Sequence, residues 1–533
     1  MGYSAQYRNR TMADMAVARA EAEPDAIAIY LESGDHITFA SILDEATRLA
    51  SALQGLGLVA GDVVSFQLPN WREAVALDIA ASLLGLVLNP VIPIYRDREL
   101  AFILDDAGAR ALFIPDVFRN CDYPEMIRRL RTELPALEHV VVVNGERRHD
   151  DMLDYRSLVA NADASALVRA DVDPDDVKII MYTSGTTGRA KAVRHSHNTL
   201  TRALDNTSEA WEFSAADTML MPSPVTHITG FANGIEMPFF TDIKSAFMER
   251  WDVNLAIDYI QRVGATLCIS ATPFLQELVQ RAGELGLALP TLRLFACGGA
   301  SVPPTLIRAT HRTLANCRAF RVYGSTEVPL VTVGFLKPED EDLAAETDGR
   351  FFNWEVKIID EEGNELPLGR DGEIVVRGPA MMIGYGDPEQ TREAFTADGF
   401  FLTGDIGHLT AQDAVVITDR KKDIIIRGGE NLSAREIEDV LYGHPCIQEV
   451  AVVAMPHERL GEGVCACVVL APGCDGLDLQ RLKPFLEDNR LAKQKWPERL
   501  EVHDDLPKTA SGKVRKEVLR NGLKERLAQG GSR

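Results

Sequence analysis

Tyr182-Thr183-Ser184-Gly185-Thr186-Thr187-Gly188-Arg189-Ala190-Lys191 is the stretch on which the reading of this chain turns. It directly follows Val177 to Met181, a short, mainly apolar run bounded by polar residues, as expected of a buried strand. Glycines allow positive φ, so successive backbone N–H groups of such a loop can converge on an anion. The hydroxyls add donors and Lys191 adds a cation suited to phosphate. The Gly-Lys-Ser/Thr ending of a Walker loop is missing. Taken alone, a Gly/Ser/Thr loop after a strand is as often a mobile turn, so its meaning depends on its surroundings.

Working outward, apolar residues recur at helical spacing from Phe39 to Leu58, and Gly55 to Gly61 closes that segment. Val63 to Phe66 reads as a strand, Asn70 to Leu84 as the next helix, and Val140 to Val143 as another buried strand. Strand and helix signals alternate in this way to about residue 330, which implies parallel sheets covered by helices. After Gly349 the pattern changes. Val356 to Asp360, a turn at Asp360-Glu361-Glu362-Gly363, and Gly372 to Val376 read as a small antiparallel or barrel-like unit. The charged run Asp419-Arg420-Lys421-Lys422-Asp423 reads as a solvated linker between folded units. It leads to Ile424-Ile425-Ile426, a Gly428-Gly429 turn and a small α/β pattern. Internal repeats and low-complexity segments are lacking.

Composition sets the outer limits. A chain of 533 residues is too long for one ordinary core and suggests roughly three or four packing units. With 46% hydrophobic and 25% charged residues it has the material for a buried interior. The formal net charge of −23 disfavours nucleic acid as a partner. The eight cysteines show no paired framework; Cys465 and Cys467 alternate on one strand face as small apolar residues, and scattered free thiols fit a reducing compartment. The N-terminal residues carry both signs of charge and no apolar core of a signal peptide. Ile79 to Ile94 is too short and too interrupted to span a bilayer and reads as buried core, so a cytoplasmic protein without a transmembrane segment is expected.

Thr183 to Lys191 resembles the phosphate loop of the adenylate-forming superfamily, which includes acyl-CoA synthetases, luciferases and adenylation domains of peptide synthetases. Four further motifs follow in the family's order. Tyr323-Gly324-Ser325-Thr326-Glu327 resembles its adenine and Mg²⁺ motif, Thr403-Gly404-Asp405 its ribose motif, Asp419 to Asp423 its hinge, and Pro507-Lys508-Thr509-Ala510-Ser511-Gly512-Lys513 its C-terminal lysine loop. The likeness covers roughly residues 25–520. It implies a large N-terminal domain, 1–421, of two parallel-type sheets with helices and a β-rich subdomain at about 340–418. A small mobile α+β C-terminal domain, 422–533, would follow.

The resemblance also implies an ATP-dependent acid:CoA ligase. A carboxylate and MgATP would give acyl-AMP and pyrophosphate, and coenzyme A would then displace AMP. Thr183, Ser184, Gly185, Thr186, Thr187, Gly188 and Lys191 would hold phosphates; Tyr323, with Gly324, Ser325, Gly299 and Ala300, would face adenine. Thr326 would reach the α-phosphate, Glu327 would bind Mg²⁺, and Asp405 and Arg420 would hold ribose or phosphate. Lys513 would stabilise the charge that develops as one anion attacks another. Rotation about Lys422 would then remove Lys513 and bring Gly428, Gly429 and Glu430 against pantetheine.

For the acyl pocket the resemblance points to the Pro224 to Phe231 segment, with His227 shaping the pocket, and to Phe231, Phe274, Gly298 and Val328 as an apolar lining. No Asp stands in 224–231 to hold an α-ammonium, which argues against an amino acid; a medium-chain, alicyclic or aryl acid is expected. Ala190 and Ala192 replace the family's usual Pro and Gly, and both are small enough for the loop to close. The rival readings are a stand-alone enzyme loading a carrier protein, for which no carrier module follows Lys513, and a dead nucleotide-binding scaffold. The presence of Lys513, Glu327 and Asp405 speaks against the latter. A monomer or homodimer is expected.

Overall fold

Helix Arg72–Leu84 is buried at every position from Glu73 onward, which is how a helix apolar on most of its surface is accommodated in a large core. The computed structural model describes residues 4–183, 190–300, 302–428, 430–474, 476–509 and 513–528. In it, one apolar cluster joins this helix to strands of two separate sheets. The helix carries Asp78, 0% exposed, and a buried charge demands a partner. Lys178 supplies it at 3.0 Å and also contacts Glu236, so one ammonium stands between two carboxylates in the core.

The first sheet has eight strands in the order Gly384–Tyr385, Lys191–Ser196, Val177–Thr183, Val87–Pro90, Val63–Phe66, Ala109–Pro115, His139–Val143, Leu153–Asp154. The expected strands at 63–66, 140–143 and 177–181 are all here, and from Val177–Thr183 to the far edge the pairing is parallel. Lys191–Ser196 departs from that expectation: it runs antiparallel to Val177–Thr183, to which a short connection joins it, and antiparallel also to Gly384–Tyr385 at the edge. The second sheet has seven strands, with Leu294–Gly298 and Arg318–Val322 at one edge, parallel apart from the hairpin partner His36–Thr38.

Glu355–Ile359, Gly372–Arg377, Phe401–Leu409 and Val415–Arg420 form a third, antiparallel sheet paired in chain order. The last sheet comprises Glu430–Leu432, Ile425–Arg427, Gly461–Leu470, Ile447–His457 and Arg499–Val502. Helix Ala434–Tyr442 packs on one face of it with Val452 and Val464, and helix Lys516–Ala528 on the other with Val453, Cys465 and Cys467. The alternation read at Cys465 and Cys467 therefore marks the inner side of that second face. No helix among the described residues is long and apolar enough to cross a membrane.

Two expectations are corrected. Cys446 and Cys474, 28 residues apart, form a disulfide with Cα atoms 5.3 Å apart. Antiparallel pairing of Ile447–His457 with Gly461–Leu470 returns the chain to Cys446, a long-range closure that spacing alone does not reveal. The charged run at 419–423 keeps Arg420, Lys421 and Lys422 exposed, as a solvated linker would, but it is not a free tether. Asp419 accepts from the Ala434 N–H at 2.7 Å, Lys421 reaches Glu373 at 2.9 Å, and Asp423 pairs with Arg520 at 3.0 Å. Asp419, Lys421 and Asp423 are thus bonded to the sheets and helices around the run.

Candidate active site

A cavity of about 700 Å³ opens where the strand ends of the first two sheets meet the third sheet and the chain beyond residue 420. Tyr182 and Thr183 line it from the end of one strand and Lys191 from the start of the next, with Thr183 and Lys191 directly opposed across the ladder. Ser184, Gly185, Thr186, Thr187 and Gly188, expected to cradle phosphates between them, lie outside the described residues, as do Gly429 and Ala510 to Gly512. The Lys191 ammonium sits 4.7 Å from the ring centroid of Tyr385.

The loop 323–327 leaves the Arg318–Val322 strand and contributes Tyr323, Gly324, Ser325, Thr326 and Glu327 to the lining. Internal bonds fix it: the Ser325 N–H donates to the Val328 carbonyl at 3.1 Å, and the Tyr323 N–H to the Thr332 hydroxyl at 2.7 Å. His195 Nε2 lies 2.7 Å from the Thr326 carbonyl and Nδ1 3.0 Å from the Thr199 hydroxyl. The carbonyl can only accept, so Nε2 carries the proton and the buried ring is neutral, its pKa pressed down to about 4 by burial. Glu327 accepts from the Tyr385 hydroxyl at 3.0 Å and from Thr183 at 3.5 Å.

Tyr323 donates its hydroxyl to Asp405 at 2.7 Å, and Arg420 meets the other Asp405 oxygen at 2.6 Å. The antiparallel pair places Asp405 opposite Arg420, so sheet register builds this contact. Asp405 is 4% exposed and stands just behind the cavity wall; Arg420, Lys421 and Lys422 line it. A diol at the wall would share the Asp405 oxygens with Tyr323 and Arg420.

Lys513 enters from the C-terminal body and lies beside Gly299, where a Cβ would come within 3.4 Å of its Cε. Gly299 has φ +80°, a conformation that a residue with a side chain would adopt only under strain. The Lys513 amine has its pKa lowered to about 8, first by burial and then by Arg420 and Lys422, against the opposing pull of Asp405 and Glu327. Ala300 follows Gly299 but does not reach the lining.

His227 lines the cavity and caps the short helix Ile228–Gly230, its Nδ1 accepting from the Thr229 N–H at 3.3 Å. That leaves the ring proton on Nε2. Burial, aided by Lys513, lowers its pKa to about 4, so it offers a neutral donor. The chain continues as a π-helical turn, Phe231–Glu236, whose Ala232 and Asn233 face the cavity. Such turns inserted between α-helical pieces are frequent at functional sites.

Gly298 lines the cavity as expected, but three other proposed pocket residues do not. Phe231 points into the core with Lys178 5.4 Å from its ring, Phe274 packs edge-on against Trp251, and Val328 joins the core of the third sheet. The lining comes instead from Ala203, Leu204 and Thr207 of helix His197–Ala210, with Ile228, Ala232 and Leu330. Gly428 (φ +63°) and Glu430 lie on a hairpin outside the cavity. Lys422 lines the cavity, and its carbonyl accepts from Arg520 at 2.7 Å. Far from the site, Cys467, Glu501 and His503 offer ligand atoms within 4.8 Å of one another, but Arg499 and Arg526 already occupy both Glu501 oxygens.

A hydroxyl-and-carboxylate corner suited to a nucleoside, a cation supplied by a separate C-terminal body and an uncharged wall between them describe an adenylate-forming enzyme. Comparison with known sequences agrees. The sequence model for the AMP-binding enzyme family matches residues 17–386, and that for its C-terminal domain residues 436–513. The chain belongs to the AMP-binding enzyme family. It is 33% identical to the medium-chain fatty-acid–CoA ligase of Escherichia coli over 97% of this chain and 91% of that protein. With indoleacetate–CoA ligase of Aromatoleum aromaticum it shares 31% identity over 93% and 95%. Among solved structures, ATP-bound MatB from Rhodopseudomonas palustris superimposes with a TM-score of 0.84 at 30% identity, over 96% of this chain and 99% of that one.

Proposed function

We propose that this enzyme is an ATP-dependent acid–thiol ligase that activates a monocarboxylic acid whose acyl group is otherwise uncharged and largely apolar, and passes it to coenzyme A. The carboxylate oxygen attacks the α-phosphorus of ATP, the bond to the β-phosphate oxygen breaks and pyrophosphate leaves. The thiol of coenzyme A then attacks the acyl carbon, the acyl–phosphate bond breaks, AMP leaves and the thiol proton passes to solvent. The observation that carries this reading is the position of Lys513, inside the cavity among Gly299, Glu327, Arg420 and Asp405, although the strand Arg499–Val502 and helix Lys516–Ala528 that flank it in the chain belong to the C-terminal body.

Each side chain has work that its chemistry permits. Tyr323 and Asp405 would take the nucleoside, Lys191 the phosphates, and the Nε2–H of His227 the acid's carboxylate. Thr326 would take the α-phosphate, its loop held by His195. Glu327 fits Mg²⁺, a hard ion that accepts one or two carboxylates together with phosphate oxygens, and among the described residues its hydrogen-bond partners are the hydroxyls of Tyr385 and Thr183. When bound there the ion would neutralise phosphate charge. Gly428, Gly429 and Glu430 would meet pantetheine only after the C-terminal body turns about Lys422.

The acid's class follows from the wall. Of the lining residues that come from helix His197–Ala210, from 223–233 and from 269–271, none carries a charge, since His227 is neutral. A second carboxylate or an ammonium on the acyl group would be buried there without a partner, at a cost of several kcal/mol. The named acids of the two ligases above, a medium-chain fatty acid and indoleacetate, are of this kind. The test is a panel of acids assayed for pyrophosphate release without coenzyme A, and for AMP and thioester with it. Activity with medium-chain and aryl monocarboxylates supports the reading; activity confined to amino acids or dicarboxylates, or none in the panel, refutes it.

A further inference from the structure

The C-terminal body is fastened to the rest of the molecule by the first turn of helix Ala434–Tyr442. Ser433 donates its hydroxyl to the Thr418 carbonyl at 2.6 Å, and the Ala434 N–H donates to Asp419 at 2.7 Å. Arg435 then reaches across residue 421 to Asp348 at 3.0 Å. Asp348 lies in the loop between helix Glu341–Glu346 and the third sheet, more than 80 residues before Arg435 in sequence.

This contact is built, not incidental. Both side chains are largely buried, 14% and 7% exposed. The Asp348 carboxylate is fully spoken for: one oxygen accepts from Arg321 (2.6 Å) and Arg435, the other from the Ile417 N–H at 2.9 Å. Burial would raise its pKa, but Arg435 and Arg321 outweigh that and hold it below the ordinary carboxylate range. Arg321 stays with Asp348 whatever the C-terminal body does, since both precede residue 421. Loss of Arg435 therefore does not leave Asp348 alone, and the pair can open at a cost smaller than that of an isolated buried ion pair.

A second buried pair carries the contact toward the site. Glu438, one turn after Arg435 on the same helix, accepts from Lys516 at 2.8 Å and from the Val452 N–H at 2.6 Å. Lys516 is three residues beyond Lys513. Arg520, one turn further along helix Lys516–Ala528, binds the Lys422 carbonyl and Asp423. One run of charged contacts thus links Asp348, the helix at 434–442, the segment bearing Lys513 and the turn at 422–423.

We propose that Arg435 is a positioning residue: its pairing with Asp348 latches the C-terminal body in the orientation that delivers Lys513, and the latch must open for the thioester step. This rests on the function proposed above. If Arg435 holds one orientation, removing it slows the half-reaction that needs Lys513 and spares the other. A residue needed only for folding would slow both.

The test separates the half-reactions in the full-length enzyme. Arg435→Gln and Arg435→Lys are assayed for acid-dependent pyrophosphate release without coenzyme A, and for thioester formation from supplied acyl-adenylate with coenzyme A. Arg435→Gln is expected to lose about tenfold or more in the first with the second unchanged or faster, and Arg435→Lys to recover part of the first. Equal losses in both half-reactions, or no change in pyrophosphate release, would overturn the latch. A parent enzyme that releases no pyrophosphate with any acid would instead overturn the function on which it rests.

Discussion

At the scale of single residues the proposed chemistry depends on charge held in buried surroundings. Lys513 is the clearest case. With a pKa near 8 it is mostly protonated at pH 7, and by pH 9 roughly a tenth remains charged. The depressed value means the cation is lost as pH rises, so kcat/KM for ATP, which reports the free enzyme, should fall through about pH 8 on the alkaline side. A flat profile to pH 10 would count against an essential ammonium. Lys178 illustrates a different use of charge: Lys178→Ala would leave Asp78 and Glu236 facing each other in the core and should cost roughly 3–5 kcal/mol, read by urea unfolding. Lys513, Glu327 and Lys191 were legible because each sits in a motif. His195 and Tyr385 were not, since they act on Thr326 and Glu327 from 131 and 58 residues away. Nothing local marks such partners.

At the scale of elements, strand ends and one unusual turn make the cavity. The buried strands at 63–66, 140–143 and 177–183 could be read from apolar runs with polar bounds, because burial on both faces leaves that trace. The cavity wall proposed to take the acyl group left no such trace. Phe231, Phe274 and Val328 look like pocket aromatics and aliphatics in sequence, yet the π-helical turn Phe231–Glu236 starts with Phe231 buried in the core and presents Ala232 and Asn233 to the cavity. A π turn shifts every later side chain around the axis, and periodicity of 3.6 cannot anticipate it. Ala232 is therefore the position to enlarge. Ala232→Phe should reduce kcat/KM for medium-chain or aryl acids by at least about tenfold while leaving the shortest acid accepted nearly unaffected. Uniform loss across acid sizes would place Ala232 outside the acyl site.

At the scale of the whole molecule, five motifs in order revealed the architecture, but not how its parts are joined. The run at 419–423 reads as a linker because it is charged; it stays largely exposed, but Asp419, Lys421 and Asp423 tie it to Ala434, Glu373 and Arg520. The Cys446–Cys474 disulfide was equally hidden, since it depends on two strands folding back on each other. The contacts at 419–423 hold the body whose loop carries Lys513, so the central claim concerns that lysine. The measurement is acid-dependent pyrophosphate release without coenzyme A by Lys513→Ala, alongside thioester formation from supplied acyl-adenylate. The account predicts that the first falls on the order of 10²–10³-fold while the second is retained. Release at the parent rate would contradict it.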